Sequence, residues 1–264
     1  MPDPRSNSPL PAAAAPDPAA VLPTGEAKRR AVEAMFDRVA PRYELLNTLM
    51  TFGLDRRWRD EVARGLRLRP GQVVLDLACG TGDLTRSFSR AGARPVGVDL
   101  SFGMLRSART LAPLVRADAE ALPLATGSVE AVASAFALRN FVDLTKVFQE
   151  VARVLRPGGR LALLDASRPT NPLVAFGHRL WFEHAVPVLG GLLSDSSAYA
   201  YLPRSLGYLP PPAELAAMVG AAGFVDVDVR PLLFGSVRLY TATRARTVPP
   251  TPSTPAGGPP EPRR

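Results

Sequence analysis

Val73-Val-Leu-Asp76-Leu-Ala-Cys-Gly80-Thr-Gly82-Asp83-Leu-Thr85 decides the fold. Five mostly apolar residues follow the turn signal Pro70-Gly71, and such a short run bounded by glycines reads as a buried parallel strand. A glycine-rich loop then opens a helix over about 83–90. Working outward, strand and helix alternate: strand 95–99, helix 102–110, strands 114–117 and 129–136, helix 143–155. Pro157-Gly158-Gly159 is expected to stop that helix before a strand at Arg160–Leu164. A helix at 212–222 and strands at 224–229 and 234–242 end the pattern as an antiparallel edge hairpin. Strict alternation predicts an α/β fold, a doubly wound sheet of seven strands.

Upstream, the period is helical. Val32, Met35, Phe36 and Val39 mark a helix over 26–38. Pro41 suits the first turn of a second, on which Tyr43, Asn47 and Met50 share one face. Arg56–Leu66 reads as a third. The chain therefore divides into a tail at 1–25, a folded α/β domain at 26–246 and a tail at 247–264. Within the domain lie a helical cap (26–69), the ligand-binding half (70–168), a helical insertion (169–211) and the C-terminal helix and edge strands (212–246). Each tail holds seven of the 28 prolines and few large apolar side chains, a composition too poor in core formers to offset its own ordering.

The loop's chemistry lies in its acids. Gly80 and Gly82 let a ligand approach the backbone at the carboxyl end of the first strand. Asp76 and Asp83 flank that loop, where a carboxylate repels the pyrophosphate a dinucleotide would bring but suits a cationic ligand. Asp99 ends the second strand, placed to accept ribose hydroxyls. Asp118 follows the third, placed to accept from an adenine amino group, with the Ala119 amide donating to the ring. Four acids near successive strand ends point to S-adenosylmethionine, and the fold then reads as class I methyltransferase, Rossmann-like. Cys79 reads as a small packing residue in the tight loop.

Beyond these generic signals the chain resembles the ubiquinone/menaquinone C-methyltransferases (UbiE/MenG type) over roughly 30–242. The resemblance rests on Phe36-Asp-Arg-Val-Ala-Pro-Arg-Tyr43 through Gly53, Arg56-Arg-Trp58-Arg, Phe136-Ala-Leu-Arg139-Asn140 and Ala198-Tyr-Ala-Tyr-Leu-Pro-Arg-Ser205. It implies S-adenosylmethionine contacts on Thr81, Asp99, Asp118 and Ala119, and through the backbone alone at Ala135, which stands where the family has a Ser. It also implies C-methylation of a lipid-tailed quinol, demethylmenaquinol to menaquinol, with Arg139 stabilising quinolate charge, Asn140 orienting a ring hydroxyl and Tyr43 lining the ring pocket. The chain departs from the family pattern at Ala137 (for Gly), at Asp165-Ala-Ser-Arg-Pro169, at Tyr208-Leu-Pro210 and at Tyr240 (for His). The equivalent ubiquinone-pathway reaction and methylation of another small phenolic or polyketide ring stay as alternatives. A non-catalytic nucleotide-binding or RNA-associated module is disfavoured by the loop acids.

Net charge is +8, yet 30 of the 32 basic residues are arginine and they form no basic run. This is a chain-wide bias, so no nucleic-acid partner is expected. Arginines at 28–69 leave a peripheral membrane contact open, as a homodimer is left open. One cysteine excludes an internal disulfide and suits a reducing cytosol. The apolar stretch Ala185–Leu193 falls far below the ~20 residues of a membrane span, so a cytoplasmic protein is expected. His178 and His184 do not share a helix face, and no metal is expected. Leu45, Leu46, Leu49 and Met50, with the segment Phe176–Leu193, are candidates for an apolar route to the tail.

Overall fold

The computed structural model describes residues 23–169, 171–180 and 204–246. Three helices lead: α1 (Gly25–Val39), α2 (Tyr43–Thr51) and α3 (Leu54–Leu66). Then come β1 (Val73–Leu77), α4 (Asp83–Arg90), β2 (Arg94–Asp99), α5 (Phe102–Arg106), β3 (Leu114–Arg116) and β4 (Val129–Ala135). The second half holds α6 (Leu144–Val154), β5 (Leu155–Ala166), α7 (Pro172–Leu180), α8 (Pro212–Ala221), β6 (Phe224–Leu232) and β7 (Val237–Arg244). The seven strands are ordered β3-β2-β1-β4-β5-β7-β6. All pairs are parallel except those of β7 with β5 and with β6. The chain reverses direction between β3 and β4, so the carboxyl ends of β1 and β4 border the crevice where such sheets bind ligands.

Alternation along the strands divides the core. Leu75, Leu161 and Leu163 face α6 and α8, packing on Phe148, Val151 and Leu215. Val74, Ala131, Ala133, Ala162 and Leu164 face α3 and α4, packing on Trp58, Val62 and Phe88. A smaller cluster of Met35, Val39, Leu46 and Met104 joins α1, α2 and α5, and it seats the cap over the strand ends.

Two expected boundaries are corrected. β5 begins at Leu155, not Arg160: Leu155 pairs with Val129 and Arg160 with Ala131, so residues 156–159 loop out as a bulge. Gly159 is needed there, because a Cβ would lie 2.8 Å from the Arg156 carbonyl and 3.0 Å from that of Glu130. The Pro-Gly-Gly run thus interrupts a strand it was expected to precede. α5 stops at Arg106 rather than running to 110, and the Arg109 amide turns back to donate to the Thr81 carbonyl at 3.1 Å. Of the expected helical insertion, α7 is described; His184, Trp181, Phe182, Tyr199 and Tyr201 lie outside the described residues.

Candidate active site

Three residues of the loop after β1 take a left-handed backbone: Ala78, Gly80 and Gly82, at φ 56°, 55° and 82°. Glycine adopts this region freely and alanine at a cost of about 1 kcal/mol, so Ala78 stores some strain. The turn is closed by Gly82 N–H donating to the Cys79 carbonyl at 2.9 Å. Cys79 packs against Gly97, where a Cβ would come within 2.8 Å of its Sγ, and burial pushes its thiol pKa up. It fills space, as its position implied.

The four acids separate on inspection. Asp99 faces the crevice; its Oδ2 accepts from Gly80 N–H at 2.8 Å and its Oδ1 from Ser101 N–H at 2.9 Å. Burial raises its pKa, and these amides partly offset that. Asp76 is fully buried behind the loop and accepts the Thr85 hydroxyl. Burial lifts it to about 7 against the pull of Thr85 and Arg59. Asp83 turns outward, where Arg86 and Arg59 (3.4 Å) hold it. The expectation that Asp83 offers free negative charge to a cationic ligand is therefore corrected, because two guanidiniums already balance it. Asp118 caps the Glu120 amide at 2.9 Å and is paired with Arg29 of α1.

Two cavities meet at the strand ends. The first is lined by Gly80, Asp99, Asp118, Ala119, Ala135, Asn140 and Tyr43, with Arg29, Val32, Glu33 and Phe36 of α1 as its roof. The second, of about 450 Å³, is lined by Asn47, Met50, Trp58, Arg139, Val174, Gly177, Phe234 and Val237. Among the described residues, Phe136 alone is common to both linings. It sits at φ 62°, a strained conformation for an aromatic residue, held by its N–H donating to the Leu164 carbonyl at 2.7 Å and by Trp58, ring centroids 6.0 Å apart.

Seven of the expected residues thus share the first cavity, and Arg139 lines the second. Asp76, Thr81 and Gly82 line neither and support the loop from behind. The Thr81 hydroxyl is nonetheless buried without a partner among the described residues. Arg139 is buried and paired with Asp165, and it donates to the Phe136 carbonyl at 2.9 Å. A cation this dry requires its carboxylate, so the Arg139 charge expected to stabilise a quinolate is held in a neutralised pair.

The departures from the family pattern have local causes. Ala137 has φ −119°, so no glycine is required. Tyr208 donates to the Pro23 carbonyl at 2.6 Å, and Lys28 lies 3.7 Å over its ring. Tyr240 is buried and pushed up to about 12, which removes it as a base near neutrality.

Sequence reasoning missed the roof, although Arg29, Val32, Glu33 and Phe36 stand at i, i+3, i+4 and i+7. It also missed Phe136 as a partition, for which no local signal exists. Among the described residues no group of three or more His, Cys, Asp or Glu could hold a metal. Nor is any described helix long and apolar enough to cross a membrane.

Residues 24–244 match the ubiE/COQ5 methyltransferase family. The chain is 46% identical over 220 residues to the ubiquinone/menaquinone biosynthesis C-methyltransferase UbiE of Syntrophotalea carbinolica, covering 80% of this chain and 93% of that protein. It is 44% identical to the demethylmenaquinone methyltransferase of Mycolicibacterium vanbaalenii (81% and 95% covered). The one from Thermus thermophilus is 42% identical (80% and 100%). Among solved structures, the [4+2]-cyclase SpnF superposes with a TM-score of 0.60 at 17% identity, covering 86% of this chain and 99% of that one. The Haemonchus contortus phosphoethanolamine N-methyltransferase 2 complex with S-adenosyl-L-methionine gives 0.55 at 17% (72% and 52%). At such identities these two establish the fold alone.

Proposed function

The chain belongs to the ubiE/COQ5 methyltransferase family, and on that premise we propose that it C-methylates demethylmenaquinol to menaquinol, with S-adenosylmethionine as donor, in menaquinone biosynthesis. The observation that carries this reading is the pair of cavities that meet at Phe136, one bordered by the glycine loop and acids, the other apolar.

The first cavity's residues fit the donor. Asp99 keeps unused lone pairs for ribose hydroxyls, Asp118 and the Ala119 amide suit an adenine edge, and Gly80 offers backbone with no Cβ in the way. The orphaned Thr81 hydroxyl and the glycine turn suit a carboxylate, and Ala135 keeps the wall low. When bound, S-adenosylmethionine supplies a methyl group on a sulfonium, open to in-line attack by a ring carbon.

The chain's own task is to present that carbon. The second cavity holds the ring with its reacting edge beside Phe136, where the two cavities meet. Ring-carbon nucleophilicity rises as a hydroxyl gives up its proton, and Arg139, fixed by Asp165, stabilises the oxygen that gains charge. Asn140 orients a ring hydroxyl from the first cavity, and Tyr43, beside Gly80, closes that cavity. The ring proton then passes to the ring oxygen, restoring the aromatic quinol, and the hydroxyl proton given up at the start balances the sulfonium charge that is lost. The isoprenoid tail exits at the cavity mouth, where Phe52 and Phe234 are 73% and 79% exposed, and this lip touches the membrane surface.

The test is single-turnover assay with a short-tailed demethylmenaquinol, product mass rising by one methyl. Turnover of a benzoquinol of the ubiquinone series with none of the naphthoquinol would move the reading to that pathway. Co-sedimentation with anionic vesicles, weakened by Phe234→Ser, tests the lip.

A further inference from the structure

Among the described residues two buried side-chain polar atoms lack a hydrogen-bond partner, Thr81 Oγ1 and Asn47 Nδ2. The first sits on the glycine turn, behind the donor cavity; the second has no place in the mechanism above. Asn47 lies on α2 and lines the second cavity, with Met50, Leu54, Trp58, Phe136 and Val237 among its apolar lining. Among the described residues of that lining, Thr51, Asp55 and Arg139 are committed elsewhere. Thr51 Oγ1 donates to the Asn47 backbone carbonyl at 2.7 Å, lies 3.0 Å from Asp55 Oδ1 and leaves the amide unserved. Asp55 is paired with Arg59, and Arg139 with Asp165.

An amide donor buried without a partner forfeits its hydration for nothing in return, whereas an apolar residue of the same size would not. A donor buried in the wall of an apolar chamber therefore calls for an acceptor that arrives with the ligand. We infer that Asn47 is a substrate-positioning residue whose Nδ2 hydrogen-bonds an oxygen of the acceptor ring and holds the reacting carbon beside Phe136. The inference rests on the reading of the second cavity as the quinol site. A donor is matched to a ring oxygen that gains negative charge as its proton leaves, so the contact strengthens toward the transition state.

Asn47→Leu is the variant to make, since it exchanges the orphan for apolar surface of similar volume. Its melting temperature is expected to hold or rise, and its SAM dissociation constant to stay within about twofold, because α2 contributes this side chain to the other cavity. Its kcat/KM for short-tailed demethylmenaquinol is expected to fall about 10- to 100-fold, the loss of one hydrogen bond to a partly charged oxygen. Asn47→Asp keeps the shape but replaces the donor with an acceptor, and is expected to lose at least as much. Wild-type turnover in Asn47→Leu would overturn the inference, as would stability, SAM affinity and turnover falling together. Gly177→Trp separates this from the cavity reading: Gly177 lines the same chamber, and a Cβ there meets nothing within 4 Å. Blocked turnover in Gly177→Trp with normal turnover in Asn47→Leu would remove Asn47 alone; normal turnover in Gly177→Trp would remove the quinol site and the inference with it.

Discussion

Arg139 and Asp165 pose the sharpest question for single residues, because one pair serves both stability and chemistry. Both side chains are at least nine-tenths buried. Asp165→Leu strands a buried guanidinium and should cost about 3–5 kcal/mol, while Arg139→Leu/Asp165→Leu should recover most of that. Turnover should not recover: Arg139→Leu and the double variant should both lose about 10²–10³ in kcat with SAM affinity kept. A stable double variant with normal single-turnover rates would reduce Arg139 to a loop anchor. Asp76 yields a prediction in pH. Its carboxyl, raised from 3.8 to about 7 by burial, holds its proton more tightly folded than unfolded. Its contribution is thus full below about pH 4 and lost as pH climbs through 7. Asp76→Asn, always neutral, should gain melting temperature relative to wild type over that window; a pH-independent difference would contradict the raised pKa.

Between elements, the decisive contact is α1 on α5. Gly103 N–H donates to Asp37 Oδ1 at 2.8 Å, and a Cβ on Gly103 would lie 2.8 Å from the Asp37 Cα. Backbone cannot yield as a side-chain end can, so Gly103→Ala should push the roof off the first cavity. Calorimetry should find SAM affinity down at least about tenfold, with a melting temperature lower by several degrees. Gly220→Ala is the control: a Cβ there meets nothing within 4 Å, and the change should stabilise α8 by up to about 1 kcal/mol. Equal SAM affinity in the two variants would detach α1 from donor binding. The helix itself was readable from its spacing. That its polar stripe roofs the donor cavity was not, because Arg29 finds Asp118 only across 89 residues of chain.

For the molecule as a whole, the tails and the domain edge can be tested together. Deleting 1–22 and 247–264 should leave melting temperature and turnover nearly unchanged. Extending the first deletion to residue 25 should cost stability, since the Pro23 carbonyl accepts from Tyr208 and the Thr24 carbonyl from the Lys28 amide. A loss on the shorter deletion would show that a proline-rich tail serves the domain.

Sequence determined what depends on neighbours a few residues apart. Strand and helix periods, the glycine turn and the acids at successive strand ends are local signals, and they were sufficient for the sheet, its seven strands and the donor. Tertiary structure decided what depends on which groups meet in a dry interior. It turned Asp83 outward to two arginines, gave Arg139 a carboxylate and placed Asn47 in an apolar chamber with its amide unpaired. Charge and hydrogen bonding gain their strength from burial, and burial is a property of the packed chain, which no spacing of residues along it records.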